Sequence, residues 1–358
     1  MRVHDDFVAV KVPATSANLG PGFDCMGLAL DLWDEVSIHA TTGSTSVVVE
    51  GEGAGNVDLG EDNLVVRALR LALDHAGAPQ VGVRMRCMNR IPHSRGLGSS
   101  ASAIVAGLTL ARALIGDPDV LGRQEILEIG SELEGHPDNV APAVYGGATV
   151  AWMNEDTKEV GALRLNPPAC VSPVVFIPDF ELRTATARAA LPENVSHVDA
   201  RFNVARASAL AAILSGHAQA SGGADLHAVL MEATRDRLHQ EQRRGAMEPS
   251  LALVDWLRGA GYAAVVSGAG PTVISLEPVG AQIRREAADS GWRVPSTPLR
   301  SPRPWWPSPP IPCTGWGLSR RAPGCVRIVP STRPRGRRLR RCGRPSEVGL
   351  LRIGGLSH

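Results

Sequence analysis

The sequence has little of what marks membrane-spanning, secreted or metal-stapled proteins. In its 358 residues no uninterrupted apolar run approaches the roughly 18 needed to cross a bilayer as a helix, so membrane insertion is not expected. The N-terminus carries Asp5 and Asp6 with no long apolar segment, which argues against a secretory signal. Cysteines at 25, 87, 170, 313, 325 and 342 show no Cys-x-x-Cys spacing, so neither a zinc site nor a disulfide framework is indicated. A reducing, cytoplasmic compartment is the expectation. Internal repeats and heptad runs are absent too. What remains is a globular composition, 44% hydrophobic and 20% charged, with length enough for about two domains.

Acidic side chains are nearly missing from one end. Residues 295–358 hold 13 arginines and 12 prolines, with Glu347 as the one acid and no lysine, phenylalanine or tyrosine. Prolines at that density forbid regular helices and central strands, and little is left to build a core. Clustered arginines at 333–344 could meet nucleic-acid phosphates. The same composition is what out-of-frame translation of a GC-rich gene would give. That second reading is preferred, so a disordered or aberrant tail is expected and nucleic acid is not an expected partner. Residues 1–294 then carry 24 basic and 35 acidic side chains, a balance of −11.

Within residues 1–294, strand-like runs occur at 7–12, 36–40, 46–50, 81–87, 146–152, 171–177, 262–266 and 272–276. Pro13 is expected to end the first. Helical spacing of apolar residues marks 64–74 behind Asn63 as a plausible N-cap, then 104–114, 124–133, 203–214, 226–237 and 282–289, with a short helix at 184–191 stopped by Pro192. Helices and strands mix without regular alternation, which predicts an α+β fold.

Four small-residue segments interrupt this pattern: 13–24, 92–103, 134–142 and 267–272. In the second, Gly96 and Gly98 let the backbone turn, Ser99 and Ser100 add hydroxyls, and a helix follows directly. Unpaired N–H groups at the start of that helix make an anion cradle. Any one such segment could be an ordinary turn. Four together favour a phosphorylated ligand.

Pro92-x-x-x-Gly96-Leu97-Gly98-Ser99-Ser100-Ala101 resembles the ATP loop of the GHMP kinase superfamily. Two further strings, residues 12–24 (Val-Pro-Ala-Thr-Ser-Ala-Asn-Leu-Gly-Pro-Gly-Phe-Asp) and His136-Pro137-Asp138-Asn139, are similar to the homoserine kinases within it. Ser267-Gly268-Ala269-Gly270-Pro271-Thr272 resembles the superfamily's third motif. The resemblance spans about residues 8–294. It implies a two-domain α+β GHMP kinase fold, with an N-terminal ribosomal protein S5 domain 2-like domain over 1–165 and a ferredoxin-like domain over 166–294, followed by the tail at 295–358. It implies transfer of the γ-phosphoryl of Mg-ATP to the hydroxyl of L-homoserine, with a homodimer as the assembly. ATP would be held by Pro92, Arg95, Gly96, Leu97, Gly98, Ser99, Ser100, Ala101 and Ser102. Mg²⁺ would sit on Glu134 and Ser99, with Glu128 and Glu132 on the same helix as alternatives to Glu134.

For the acceptor, the resemblance places Asn18, Asp24, His136, Asn139, Thr184, Arg188 and Arg243 in a second pocket, with Asn18, Asp24, Asn139 and Arg188 as the catalytic set. Guanidinium groups suit a carboxylate, so Arg188 and Arg243 are the grips for that end; Arg244 is an alternative to Arg243. No general base stands out. Asp24 could accept the hydroxyl proton, or the proton could pass to a phosphate oxygen. The alternatives are a GHMP kinase for another small alcohol, or an inactive paralogue whose basic tail binds nucleic acid.

Overall fold

The computed structural model describes residues 4–295, apart from 118, 217 and 219–224; the tail expectation therefore lies, beyond Pro295, outside the described residues. The N-terminal half is a six-stranded sheet of β1 (Phe7–Ala17), β2 (Met26–Thr41), β3 (Ser46–Gly51), β4 (Gly82–Asn89), β5 (Ala148–Met153) and β6 (Val160–Leu165). Its order is β3-β4-β2-β5-β6, with β1 on the other edge of β2. β2 is one 16-residue strand. It pairs with β4 through residues 35–41 and with β5 through 26–28.

Pro13 does not end β1. The register slips between Pro13 and Ala14, so the proline sits at a bulge of a strand that pairs only with β2 among the named strands, where its missing N–H breaks no ladder. Beyond the bulge β1 runs on to Ala17, and the N–H of Thr15 donates to the carbonyl of Leu97. That extension carries the strand to the Gly-Ser loop.

Helices α1 (Leu64–His75), α2 (Ser99–Ile115), α3 (Arg123–Glu134) and α4 (Val140–Tyr145) share one core with this sheet. α1 begins as expected, with the Asn63 side chain accepting from the N–H of Val65. α4 and β6 are not evident from the sequence pattern. α4 has six residues with Pro142 inside it, too short to show a period.

The C-terminal half has a three-stranded antiparallel sheet, β7 (Val174–Phe176), β9 (Val273–Ser275) and β8 (Ala264–Val266), with β9 in the middle. Alternate residues face opposite cores. Val175, Val265 and Ile274 pack with Leu210, Ile213 and Leu230 from α6 (His197–Leu214) and α7 (Leu226–Ala233). Phe176, Val266 and Val273 pack with Leu251, Val254 and Leu257 of α8 (Glu248–Gly259), and Ala287 of α9 (Ala281–Asp289) joins them. Both faces are covered, which is why these strands read as unbroken apolar runs. α8 and the 3-10 turn before it, Glu241–Ala246, are missing from the sequence reading, and α7 stops at Ala233 rather than 237. Past α9, Arg293 exchanges both backbone hydrogen bonds with Ile177, at the free edge of β7.

The core under α6 and α7 also takes Ala14, Leu19, Leu28, Leu30, Ile91 and Leu97. The two halves thus share apolar packing beneath the Gly-Ser loop. No helix among the described residues is long and apolar enough to cross a membrane.

Candidate active site

The Gly-Ser loop turns through Ser94, Gly96 and Gly98, all with positive φ, and Gly98 opens α2 with no side-chain cap. Ser102 makes the first backbone bond of the helix, to the carbonyl of Gly98. The N–H groups of Ser99, Ser100 and Ala101 precede it and project from the positive end of α2. Gly96 is required by closeness as well as by its φ of 70°, because a Cβ there would lie 2.2 Å from the carbonyl oxygen of Ser267. Ser267 also donates from its hydroxyl to the carbonyl of Gly96 at 2.6 Å.

Two clefts meet at Ser94, Ser99 and Ser100. The larger, about 360 Å³, lies between α1, α2 and the sheet and is lined by Asp34, Asp58, Asn63, Cys87, His93 and Ser102 among others. No motif points to it, since Asn63 reads simply as a helix cap. The smaller, about 160 Å³, contains Asn18, Asp24, Glu134, His136, Asn139, Thr184, Arg188 and Arg243, together with Gly96, Gly98, Ser99 and Ser100. Every residue assigned to the acceptor from sequence lines this one cleft.

Their hydrogen bonds divide the labour. Asn18, in the left-handed region that asparagine tolerates, donates to the carbonyl of Gly268 at 2.8 Å and accepts from the N–H of Asp24 at 3.0 Å. Its amide therefore ties the third motif to the turn that presents Asp24. Arg188, on α5 (Thr184–Ala189), donates through both Nη atoms to the Asp24 carboxylate at 2.9 and 2.8 Å. Arg243, 1% exposed, donates from Nε to the carbonyl of Ala187 and meets His239 Nδ1 at 3.0 Å. Arg244 instead pairs with Glu241 and Asp255 at the surface, so the cleft arginine is Arg243. Asn139 accepts from the Thr15 hydroxyl at 2.7 Å.

Asp138 lines the same cleft and is missed by the sequence reading although it stands inside the quoted His-Pro-Asp-Asn string. It lies 2.6 Å from His136 Nδ1. Burial opposes a charged His136, but the bond and charge of Asp138, helped by Glu134, outweigh it and raise the imidazole above its usual range. Burial raises the Glu134 carboxyl, offset in part by the Ser100 hydroxyl, which donates to it at 2.7 Å.

Several loop residues expected to touch ATP do other work. The Arg95 guanidinium donates to the carbonyl of His93 within its own loop and to the carbonyls of Pro178 and Asp179 and the carboxylate of Glu181 on the β7–α5 connection, and lines neither cleft. Leu97 is in the core, Pro92 and Ala101 are buried and line neither cleft, and the Ser102 hydroxyl donates to the carbonyl of Pro13. These residues shape the loop. Ser94, Ser99 and Ser100 line both clefts, Gly96 and Gly98 line the smaller, and Ser102 lines the larger although its hydroxyl is taken by the carbonyl of Pro13.

Mg²⁺, which the family implies, prefers oxygen ligands and keeps several waters. Among the described residues no cluster of three or more His, Cys, Asp or Glu could hold a metal unaided. Glu134 with the Ser100 hydroxyl, at the mouth of an anion cradle, fits an ion shared with phosphates. The hydroxyl bonded to Glu134 is that of Ser100 rather than Ser99.

Residues 63–147 match the family described as GHMP kinases N terminal domain, and residues 208–290 match GHMP kinases C terminal. A homoserine kinase of Streptomyces coelicolor is 47% identical over 270 residues, covering 75% of this chain and 84% of its own length. One of Corynebacterium kroppenstedtii is 44% identical over 302 residues, covering 82% and 94%. The crystal structure of homoserine kinase from Cytophaga hutchinsonii superposes with a TM-score of 0.70 at 24% identity, over 82% of this chain and 96% of that one, and so shares the two-domain α+β fold. With that fold, and identity near one half across most of the relatives' length, the chain belongs to the homoserine kinases of the GHMP kinase family.

Proposed function

We propose that this chain is an ATP-dependent homoserine kinase, transferring the γ-phosphoryl of ATP to the side-chain hydroxyl of L-homoserine to give O-phospho-L-homoserine for threonine biosynthesis. The carrying observation is the acceptor cleft. It holds Arg188, Arg243 and Asp24, with Asp138 and Glu134 beside them, around a small polar cavity that opens onto the N-terminus of α2. An α-amino acid presents a carboxylate and an ammonium, and Arg188, Arg243 and Asp24 match that pair of charges. The adenosine end of ATP occupies the larger cleft. Its phosphates turn at Ser99 and Ser100 toward the acceptor.

Phosphoryl transfer asks mainly for positioning and charge neutralisation. The N–H groups of Ser99, Ser100 and Ala101 and the positive end of α2 bind phosphate oxygens. Asn139 holds the acceptor hydroxyl, and Thr184 and His136 close its sides. A bond forms between that oxygen and the γ-phosphorus while the bond to the β-γ bridging oxygen breaks. The hydroxyl proton leaves to a phosphate oxygen, so no side chain has to act as base. Mg²⁺, when bound at Glu134 and the serine hydroxyls, neutralises phosphate charge. Cytoplasmic residence and a homodimer, supported by the scattered cysteines and by the family resemblance, complete this reading; size-exclusion chromatography with light scattering checks the dimer.

The test is ADP release with L-homoserine as the acceptor, set against mevalonate and shikimate. L-Homoserine-dependent turnover with product carrying a phosphate ester supports the assignment. Turnover with another alcohol in its place, or with none, overturns it.

A further inference from the structure

Arg243 does not stand alone in its buried position. His239, one turn earlier, is 0% exposed and touches polar groups on both sides. Its Nε2 lies 2.7 Å from the carbonyl oxygen of Gly20, and its Nδ1 lies 3.0 Å from Arg243 Nη1. A carbonyl only accepts and a guanidinium only donates, so the two contacts fix the ring: Nε2 carries the hydrogen and Nδ1 is the acceptor. The imidazole is neutral. Burial and then the charge of Arg243 hold its pKa below the ordinary value, against the opposing pull of Asp236 and Asp24.

The surroundings lock this arrangement. The Asp236 carboxylate, 3.8 Å from Nε2, is taken up by the Asn203 amide and by the N–H groups of Leu238, His239 and Gln240. Phe23 stacks on the imidazole, with ring centroids 5.1 Å apart and an interplanar angle of 29°. The guanidinium carbons of Arg243 and Arg188 lie 5.5 and 5.8 Å from the centre of the same phenyl ring. Phe23 precedes Asp24, and Gly20 lies in the turn that presents both.

We propose that His239 is a positioning residue for the phosphoryl acceptor, its Nε2–H imidazole spanning Arg243 and the Gly20 turn so as to set the spacing between the cationic and anionic ends of the cleft. The two ends come from distant parts of the chain: Arg243 from the 3-10 turn before α8, Asp24 from the loop between β1 and β2. The ring, bonded to Arg243 and to the carbonyl of Gly20, ties these two segments directly, beside the link that α5 makes through Ala187 and Arg188. The proposal rests on the assignment of Arg243 to the acceptor's carboxylate.

The test compares His239→Leu, His239→Gln and Arg243→Leu, singly and with His239→Leu and Arg243→Leu combined, using L-homoserine and its uncharged carboxamide. His239→Leu is expected to raise KM for L-homoserine at least tenfold, leave KM for ATP within twofold, and reduce the preference for the carboxylate over the carboxamide. His239→Gln, whose amide offers one acceptor and one donor at similar separation, recovers most of the loss. In the double variant His239→Leu adds less than twofold to Arg243→Leu, because both remove one interaction. Unchanged KM for L-homoserine, a parallel rise in KM for ATP, or multiplying effects each overturn the proposal. Should Arg243→Leu itself leave KM and the carboxylate preference untouched, the assignment of Arg243 fails and the role of His239 fails with it. A measurement on the unaltered protein stands beside these in case the variants do not fold. The ¹⁵N shifts of the His239 ring should report a protonated Nε2 and a bare Nδ1, with Nδ1 moving on addition of L-homoserine. The opposite tautomer, or an unmoved Nδ1, overturns the proposal.

Discussion

Arg188 lays its two terminal nitrogens on the two carboxylate oxygens of Asp24, a bidentate pair that joins α5 to the turn after β1 across the acceptor cleft. An arginine and an aspartate placed edge to edge are a template for a zwitterion. On the function proposed above, an amino acid entering the cleft would offer its carboxylate to the guanidinium and its ammonium to the aspartate. An alcohol with one charge would separate the pair and satisfy one member only.

Arg188→Leu and Asp24→Asn should therefore damage binding of the acceptor far more than the fold. Both side chains are more than a third exposed, so loss of the pair costs stability about 0–1 kcal/mol. Losing a partner for a substrate charge costs about 2–5 kcal/mol, roughly several hundredfold in kcat/KM at the middle of that range. Steady-state kinetics with L-homoserine, alongside a urea melt, separate the two quantities. A KM that does not rise would refute the template.

Glu134 yields a prediction of opposite sign for stability and activity. Burial raises its pKa, so the ionised carboxylate is held in the fold at a cost. A carboxyl raised in this way contributes stability that is present below its unfolded pKa and lost as pH rises through the folded value. Glu134→Gln should thus melt higher than the parent at pH 8, with the gap closing toward pH 4, while its turnover falls and its requirement for Mg²⁺ rises. Differential scanning fluorimetry without ligands, repeated across pH, decides the first part. A gap that widens in acid would contradict it.

The acceptor cleft was far more legible in the sequence than the elements around it. Asn18, Asp24, His136 and Asn139 stand in two short strings, and the structure brings those strings to one cavity, where Arg188, which only the family resemblance indicates, joins them. The family resemblance puts Arg95 among the ATP-holding residues because it stands inside such a string, yet its partners on residues 178–181 are far away in sequence and invisible from it. Pro13 reads as the end of β1 because a proline normally stops a strand; that the proline sits at a bulge is a fact of tertiary pairing. α8 carries Pro249 in its first turn and is preceded by the Arg-rich 3-10 turn, so its period was hidden behind breakers that in fact start a helix. His239 gave no signal at all, since one buried histidine has no pattern.

His136 and Asp138 allow a titration to be predicted. The aspartate raises the imidazole, so the stability contributed by the pair is full below the unfolded histidine pKa and is lost as pH rises through the higher folded value. Asp138→Asn removes the charge and leaves the imidazole, at most, a neutral hydrogen bond. In the folded variant the His136 resonance should titrate at lower pH than in the parent, and the stability difference between them should shrink from pH 5 to pH 9. An NMR titration measures the first and chemical denaturation the second. A His136 that titrates at the same pH in both proteins would remove Asp138 from the account.

Gly96 and Gly135 separate two reasons for glycine in one experiment. Both have positive φ, 70° and 88°, so alanine at either is strained by about 1 kcal/mol. At Gly135 nothing lies within 4 Å of an added Cβ, whereas at Gly96 the carbonyl oxygens of Ser267 and Gly270 stand 2.2 and 2.8 Å away. Gly135→Ala should cost about that 1 kcal/mol. Gly96→Ala should cost more, about 2–4 kcal/mol, because the third motif has to move away from the loop. That displacement also breaks the Ser267 hydroxyl bond to the Gly96 carbonyl, so KM for ATP should rise at least tenfold in Gly96→Ala and stay near the parent's in Gly135→Ala. Equal losses at the two positions, in stability and in KM, would mean that backbone conformation alone explains both glycines and that close contact with the third motif does not shape the phosphate loop.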